Sequence, residues 1–201
     1  MRCFILSLLL PGLAIFCASE AQSSACLNAS NYLLLEKAQN GDVEAQLYLG
    51  NQLLMGDCST EEKHRGVAMI EAAADAGHLP ALFLLGSLQI AYAKTDAEEA
   101  VANAMITRAA EAGLAEAQSL LGVLTLEKAT NREERDQAMY WLGSAASQGS
   151  AHAAMAAHTI YAHGMHGISQ DKCLALLWAE AAQLLSGEPI DFLDSVSAAC
   201  Q

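Results

Sequence analysis

A glycine recurs every 36 residues along most of this chain of 201 residues. Gly41, Gly77, Gly113 and Gly149, here called the marker glycines, keep this spacing, and Gly187 follows 38 residues after the last of them. An alanine stands four residues after each marker glycine, and each repeating unit ends in an Ala-Ala pair. A fixed period of about 20 to 50 residues with a helical composition indicates stacked helical hairpins, each of which buries its apolar face against its neighbours.

The composition agrees with a helical chain. Alanine and leucine together supply 70 of the 201 residues, and both favour helices. Hydrophobic residues make up 53% of the chain, which is enough to bury a core. Aromatic residues make up only 5% and proline occurs three times. We therefore expect an all-α protein rather than a β-sandwich or barrel.

The charge disfavours several classes of partner. Ten Lys and Arg residues against 23 Asp and Glu residues give a net charge of −13. Such a surface repels the phosphate backbone of nucleic acids and the head groups of anionic lipids. We expect no nucleic-acid ligand, and a partner with a basic surface is the better match.

The first 21 residues have the pattern of a secretory signal peptide. Arg2 gives a positive start, an apolar stretch runs from position 3 to position 16, and small residues precede a cleavage site after Ala21, with a cut after Ser19 as the alternative. The stretch contains Pro11-Gly12 and is shorter than the roughly 17–25 apolar residues of a membrane-spanning helix. We expect an exported protein, periplasmic or secreted, with no transmembrane span in the mature chain.

Each repeating unit is predicted to contain two helices, A and B, within residues 41–76, 77–112, 113–148 and 149–187. Helix A begins just after the marker glycine. Helix B begins near a residue that can cap a helix, and these residues are Thr60, Thr95, Asn131 and Ser169. An acidic residue follows in its first turn, where it complements the helix dipole: Glu62, Glu98, Glu134 and Asp171. The next glycine then ends helix B.

One stretch of the chain matches a known family. Residues 161–182, YAHGMHGISQDKCLALLWAEAA, closely resemble the Sel1-like repeat, a relative of the tetratricopeptide repeat. The resemblance covers roughly residues 41–187. It implies a right-handed α-solenoid of helix–turn–helix repeats, with residues 22–40 as an N-terminal segment and capping half-repeat and residues 188–201 as a C-terminal capping helix.

Four cysteines remain after the predicted signal peptide: Cys26, Cys58, Cys173 and Cys200. In an oxidising compartment an even number of cysteines favours disulfides. In such a solenoid Cys58 and Cys173 are three repeats apart, on the order of 30 Å at about 10 Å per helix layer, whereas bonded cysteines need Cα atoms within about 7 Å. We therefore expect the pairs Cys26–Cys58 and Cys173–Cys200, each of which ties a terminal segment to its end repeat.

A partner-binding surface is expected on the concave side, which the A helices line. The positions that the repeat pattern leaves free give a partly apolar groove suited to a helix or an extended peptide. An alternative is that several of these residues belong to the core, because a helical stripe of Leu and Met is more often core than binding site. The candidates are Glu44, Leu47, Asn51, Leu54, Phe83, Ser87, Ile90, Ser119, Val123, Leu126, Met155 and Thr159.

Two other kinds of site carry weaker signals. His158, His163 and His166 lie close in sequence and are residues that bind zinc or copper, but their spacing across a helix end is weak evidence for a metal site. Ser169 and Lys172 fit the Ser-x-x-Lys pattern of β-lactam-recognising enzymes, although the companion motifs are absent. We predict no cofactor and no catalytic residue.

The resemblance implies an adaptor function. Exported Sel1-like repeat proteins typically bind another protein of the cell envelope, so we expect a periplasmic or secreted scaffold or regulatory adaptor without catalytic activity. An alternative is a periplasmic immunity protein that binds a secreted toxin, for which the strong acidity would suit a basic partner. A β-lactam-binding or β-lactam-hydrolysing enzyme is a third and weaker alternative.

Overall fold

The computed structural model describes residues 31–187, and every regular element within this range is a helix. The predicted signal peptide, the predicted C-terminal capping helix, Cys26 and Cys200 lie outside the described residues. The helices are α1 Tyr32–Gln39, α2 Val43–Met55, α3 Thr60–Asp75, α4 Leu79–Tyr92, α5 Asp96–Glu111, α6 Ala115–Lys128, α7 Arg132–Ser147, α8 Ala151–His163 and α9 Lys172–Ser186.

The helices pack as successive hairpins along the chain. The closest pairs are α2 with α3, α4 with α5, α6 with α7, and α8 with α9. Each hairpin then packs on the next through its second helix, since α3 contacts α4, α5 contacts α6 and α7 contacts α8, while α1 packs on α2. This is the helical solenoid that the 36-residue period predicts.

The marker glycines end the preceding helices in a repeated motif. Gly77 donates its amide to the carbonyl of Ala74 (2.9 Å), and His78 donates its amide to the carbonyl of Ala73 (3.0 Å). These two bonds form a Schellman motif, whose turn needs a left-handed residue. The same pair of bonds recurs at Gly41, Gly113 and Gly149, and the four φ angles lie between 86° and 98°. The Ala-Ala pairs that precede Gly77, Gly113 and Gly149 are buried because they lie in or next to the last turn of their helices, against the core.

The starts of the B helices are fixed by their side chains. Thr95 and Asn131 cap α5 and α7 as predicted, and each forms a capping box with the glutamate three residues on. The prediction that Thr60 caps α3 is wrong by one residue, because the hydroxyl of the preceding residue, Ser59, is the cap. The prediction of Ser169 is also wrong. Asp171 is the cap of α9 rather than a residue of its first turn, and its carboxylate accepts from the amide of Leu174 (2.9 Å).

Glycines inside the hairpins let the two helices approach closely. A Cβ atom at Gly50 would lie 2.7 Å from the carbonyl oxygen of Gly66, and one at Gly122 would lie 3.0 Å from the carbonyl oxygen of Ala138. Gly86 faces Ala102 in the same way. The spaces around these contacts are filled by fully buried Leu and Ile residues, namely Leu49, Leu53, Ile70, Ile106 and Leu142.

The fourth hairpin replaces this glycine contact with a hydrogen bond. His158 stands where the other hairpins have Gly50, Gly86 and Gly122. Its Nδ1 atom lies 2.8 Å from the carbonyl oxygen of Ala175 on α9. The imidazole therefore lies between α8 and α9 and contacts a backbone oxygen there.

Candidate functional site

The predicted concave groove contains a few exposed residues. Glu44, Asn51 and Met155 are exposed to solvent. Glu44 is also engaged within the protein, because its Oε1 atom lies 2.9 Å from Nε2 of the mostly buried His78. This contact links α2 of the first repeat to the start of the second.

Most apolar candidates of that groove pack on the core. Leu47, Leu54, Phe83 and Ile90 are half-buried against one core cluster, and Val123 is half-buried against another. The structure therefore favours the core interpretation for these residues.

One candidate residue is buried and not accessible to a partner. Leu126 is 2% exposed and belongs to the core beneath α6. The prediction that Leu126 contacts a partner is wrong, because the last turn of α6 points it into the hairpin.

The three candidates with hydroxyl groups are only half exposed. The hydroxyl of Ser87 donates to the carbonyl of Phe83, and that of Thr159 donates to the carbonyl of Met155. Ser119 is half-buried. These hydroxyls are partly satisfied by their own helices, so they give the predicted groove little unsatisfied polarity.

A different surface carries exposed apolar residues that converge on a depression. It lies between the C-terminal ends of α2 and α4, the side of α3 and the start of α5. We call it the Tyr92 groove. Two adjoining cavities of about 330 Å³ each form it, and they share Gln89 and Tyr92. Its remaining lining residues are Leu54, Met55, Val67, Glu71, Leu85 and Leu88 in one cavity, and Ala93, Glu98 and Val101 in the other.

The prominent residues of the Tyr92 groove are apolar and open to solvent. Tyr92 is 78% exposed, Met55 is 68% exposed and Val101 is 53% exposed. Sequence reasoning missed these three residues because it considered only the concave positions of helix A. Of the twelve predicted binding residues, Leu54 lines this groove.

The charges that line the groove are negative. Among its described lining residues two are acidic, Glu71 and Glu98, and none is basic. The backbone amide of Lys94 lowers the pKa of Glu98, and the backbone amide and hydroxyl of Thr95 add to this effect. Glu98 therefore stays ionised at neutral pH.

Solved structures with the same architecture are helical-repeat proteins. One is c5321, a protective antigen present in uropathogenic Escherichia coli strains and described as displaying an SLR (Sel1-like repeat) fold. It matches with a TM-score of 0.65 and 27% identity, over 78% of this chain and 33% of that chain. Another is a Sel1 repeat protein from Oxalobacter formigenes, with a TM-score of 0.65 and 22% identity, over 77% of this chain and 63% of that chain.

This chain has the Sel1-like repeat fold. The resemblance carried by residues 161–182 is thereby confirmed at the level of the fold. No family model and no curated protein matches the sequence. The chain spans about one third of the length of the first structure and less than two thirds of the second, so the likeness concerns the repeats and not those proteins as wholes.

The Sel1-like fold also explains the weaker sequence signals. Within residues 31–187 no three His, Cys, Asp or Glu side chains are grouped to hold a metal ion. His158 is bonded to Ala175, and Nδ1 of His163 lies 3.0 Å from the carbonyl oxygen of Thr159. Ser169 and Lys172 lie on either side of Asp171, the cap of α9. Polar residues are common at the start of a helix, which accounts for the Ser-x-x-Lys pattern.

The C-terminal hairpin has a smaller cavity. It measures about 250 Å³ and is lined by residues that include Met155, His152 and Gln183. Met155, a predicted binding residue, thus lies at an open depression, between α8 and α9.

Cys58 and Cys173 are both disulfide-bonded. Their expected partners, Cys26 and Cys200, are outside the described range, and the pairing stays a prediction. In the described part of the chain, no helix is long and apolar enough to cross a membrane.

Proposed function

We propose that this protein is a non-catalytic adaptor of the periplasm or the secreted fraction that binds another protein through the outer surface of its repeats. The single observation that carries the proposal is a Sel1-like solenoid whose packing leaves large apolar side chains in solvent, with Tyr92 the most exposed of them. A solenoid presents an extended surface whose variable positions are free to select a partner.

The location outside the cytoplasm is part of the proposal. It is supported by the signal-peptide pattern of residues 1–21 and by the two disulfide-bonded cysteines, since disulfides persist in oxidising compartments. Fusing residues 1–30 to alkaline phosphatase, which is active only after export, tests it. We expect phosphatase activity, and Arg2→Glu should reduce it. Activity as low as that of a leaderless fusion would contradict the location.

Affinity capture tests the adaptor function. The tagged protein is expressed in its own host, cross-linked in intact cells and purified from the envelope fraction. We expect a defined partner in a constant molar ratio, absent from a parallel capture of an unrelated tagged periplasmic protein. Equal recovery of the same proteins in both captures would contradict an adaptor function.

A second candidate is an immunity protein that neutralises a secreted toxin. The observation that favours it is the net charge of −13, because a strongly charged surface accelerates binding to an oppositely charged partner. Here the captured partner should be a basic protein that kills cells lacking this chain. If cells that lack this protein grow normally in co-culture with cells that produce the captured partner, the immunity function is contradicted and the adaptor function is preferred.

A further inference from the structure

We propose that the Tyr92 groove binds a partner segment that carries two large apolar side chains, one for each cavity, beside at least one Lys or Arg. This proposal rests on the adaptor function and names the surface and the chemistry of the partner. The alternatives are a second copy of this chain and the chain's own residues 22–30, and the experiment below separates them.

The large apolar residues of the groove are exposed because of their places at the helix ends. Tyr92 and Met55 are the last residues of α4 and α2, so their side chains stand at the rim of the hairpins rather than between them. Exposed Tyr is a frequent anchor in interfaces because it buries a large rigid ring while its hydroxyl can still form a hydrogen bond. Met adds a flexible side chain that adapts to different partners.

The repeat packing does not require this apolar surface. One repeat further along the chain, 36 residues on, Met55 corresponds to Ala91, Tyr92 to Lys128 and Val101 to Gln137. At that junction Lys128 forms an ion pair with Glu99 on the neighbouring helix α5. The same Sel1-like packing is therefore built there with one small and two polar residues, and the three large apolar residues Met55, Tyr92 and Val101 are specific to the junction of the first two repeats.

The charge of the groove selects among apolar partners. The two cavities place the carboxylates of Glu71 and Glu98 beside apolar walls, with no basic residue among the described lining residues. The Glu98 carboxylate accepts backbone hydrogen bonds within its capping box but keeps its negative charge, so a Lys or Arg beside the apolar side chains would face opposite charge at both glutamates. The net charge of −13 also raises the local concentration of basic partners.

The same charge argues against the alternatives. A second copy of this chain would bring another net charge of −13 to an acidic groove. Residues 22–30, QSSACLNAS, contain one large apolar residue, Leu27, and no basic residue. Residues 22–30 therefore lack both the second apolar side chain and the cation, and a second copy is disfavoured by its net charge.

A peptide library tests the proposal without knowledge of the natural partner. The probe is a phage-displayed library of random dodecapeptides, selected on the purified protein with its disulfides intact and depleted on the Tyr92→Ala variant. We expect selected peptides with two large apolar residues and an excess of Lys and Arg. Peptides without this excess, or peptides that bind both proteins equally, would overturn the proposal.

Affinities of a selected peptide then localise the site. Fluorescence anisotropy should show binding at least about tenfold weaker for Tyr92→Ala and nearly restored for Tyr92→Phe. Glu71→Gln should weaken binding by about two- to fivefold. The matched control is Tyr140→Ala, since Tyr140 is 62% exposed on α7 outside the groove. It should change the affinity by less than about twofold.

Methyl spectra of the methionines identify the occupant. With ¹³C-methyl methionine, the signal of Met55 should shift as peptide is added, and that of Met155 should not. A Met55 signal that shifts with protein concentration alone would show self-association and overturn the proposal. A Met55 signal that shifts on deletion of residues 22–30 and is insensitive to peptide would do the same.

The outcomes separate this proposal from the proposed function. If a cross-linked partner binds Tyr92→Ala as tightly as the original protein, the adaptor function stands and the groove assignment falls. If no partner is captured, the adaptor function falls, and the library result still decides whether the groove prefers apolar peptides with basic residues.

Discussion

Gly122 and Gly143 lie in the same hairpin in very different surroundings. Gly122 is on α6, where a Cβ would lie 2.8 Å from Cγ of the fully buried Leu142 and 3.0 Å from the carbonyl oxygen of Ala138. Gly143 is on α7, where a Cβ would meet nothing within 4 Å. The first glycine sets the distance between two helices, and the second only weakens its helix.

Gly122→Ala should lower the free energy of unfolding by about 1–3 kcal/mol, because the added methyl group forces α6 and α7 apart. Gly143→Ala should raise it by about 0.5–1 kcal/mol through helix propensity. Urea unfolding followed by circular dichroism measures both. If Gly122→Ala is as stable as Gly143→Ala, close helix approach at this position is not required.

His158 gives a second test at single-residue scale. His158→Gly restores the residue that the other three hairpins have, yet we expect it to destabilise the protein by about 2 kcal/mol or more. It removes the bond to the carbonyl of Ala175, about 1 kcal/mol. It also loses the packing contacts of the half-buried imidazole and adds a glycine to the helix, about 0.3–0.5 kcal/mol relative to His. A stability equal to that of the original protein would show that α8 and α9 close up around the smaller residue.

At the scale of single helices, the B helices depend on ionised capping boxes. Glu98 and Glu134 each accept bonds from backbone amides at the start of their helices. The amide of Lys94 lowers the pKa of Glu98, and the amide of Thr130 lowers that of Glu134. A carboxylate whose pKa is lower in the folded state stabilises the protein above its unfolded pKa, and this contribution is lost as the pH falls through the folded value.

The stability of the double variant Glu98→Gln, Glu134→Gln should therefore depend less on pH in the acid range. The urea midpoint of the original protein should fall between about pH 7 and about pH 3, and that of the variant should fall less, since two carboxylates no longer titrate. Glu111→Gln, at the last residue of α5, is the control and should keep the slope of the original protein. Equal slopes for all three proteins would show that the capping carboxylates are not coupled to folding.

At the scale of the whole molecule, the sequence predicted the repeated hairpins but not the Tyr92 groove, whose residues are not repeated. The marker glycines and Ala-Ala pairs fixed the hairpins because Schellman ends and close helix contacts allow few residue types. The observed N-cap residues of α3 and α9 lie one and two residues from the predicted ones, because Ser, Thr and Asp can all cap a helix. The Tyr92 groove could not be found by counting concave positions, because it joins residues from α2 to α5. Comparing Met55 and Tyr92 with their equivalents Ala91 and Lys128 would have pointed to it.

The disulfides supply the last prediction, because the ends of a solenoid lack one neighbour. If Cys58 pairs with Cys26 and Cys173 with Cys200, each bond closes a loop of about 30 residues and contributes roughly 3–4 kcal/mol. Since each repeat contacts only its neighbours, reduction should speed hydrogen exchange in α2, α3 and α9 before α5 and α6. Peptide mapping without reduction measures the pairing directly. A Cys58–Cys173 linkage would contradict it, and uniform loss of protection would contradict the local effect of each bond.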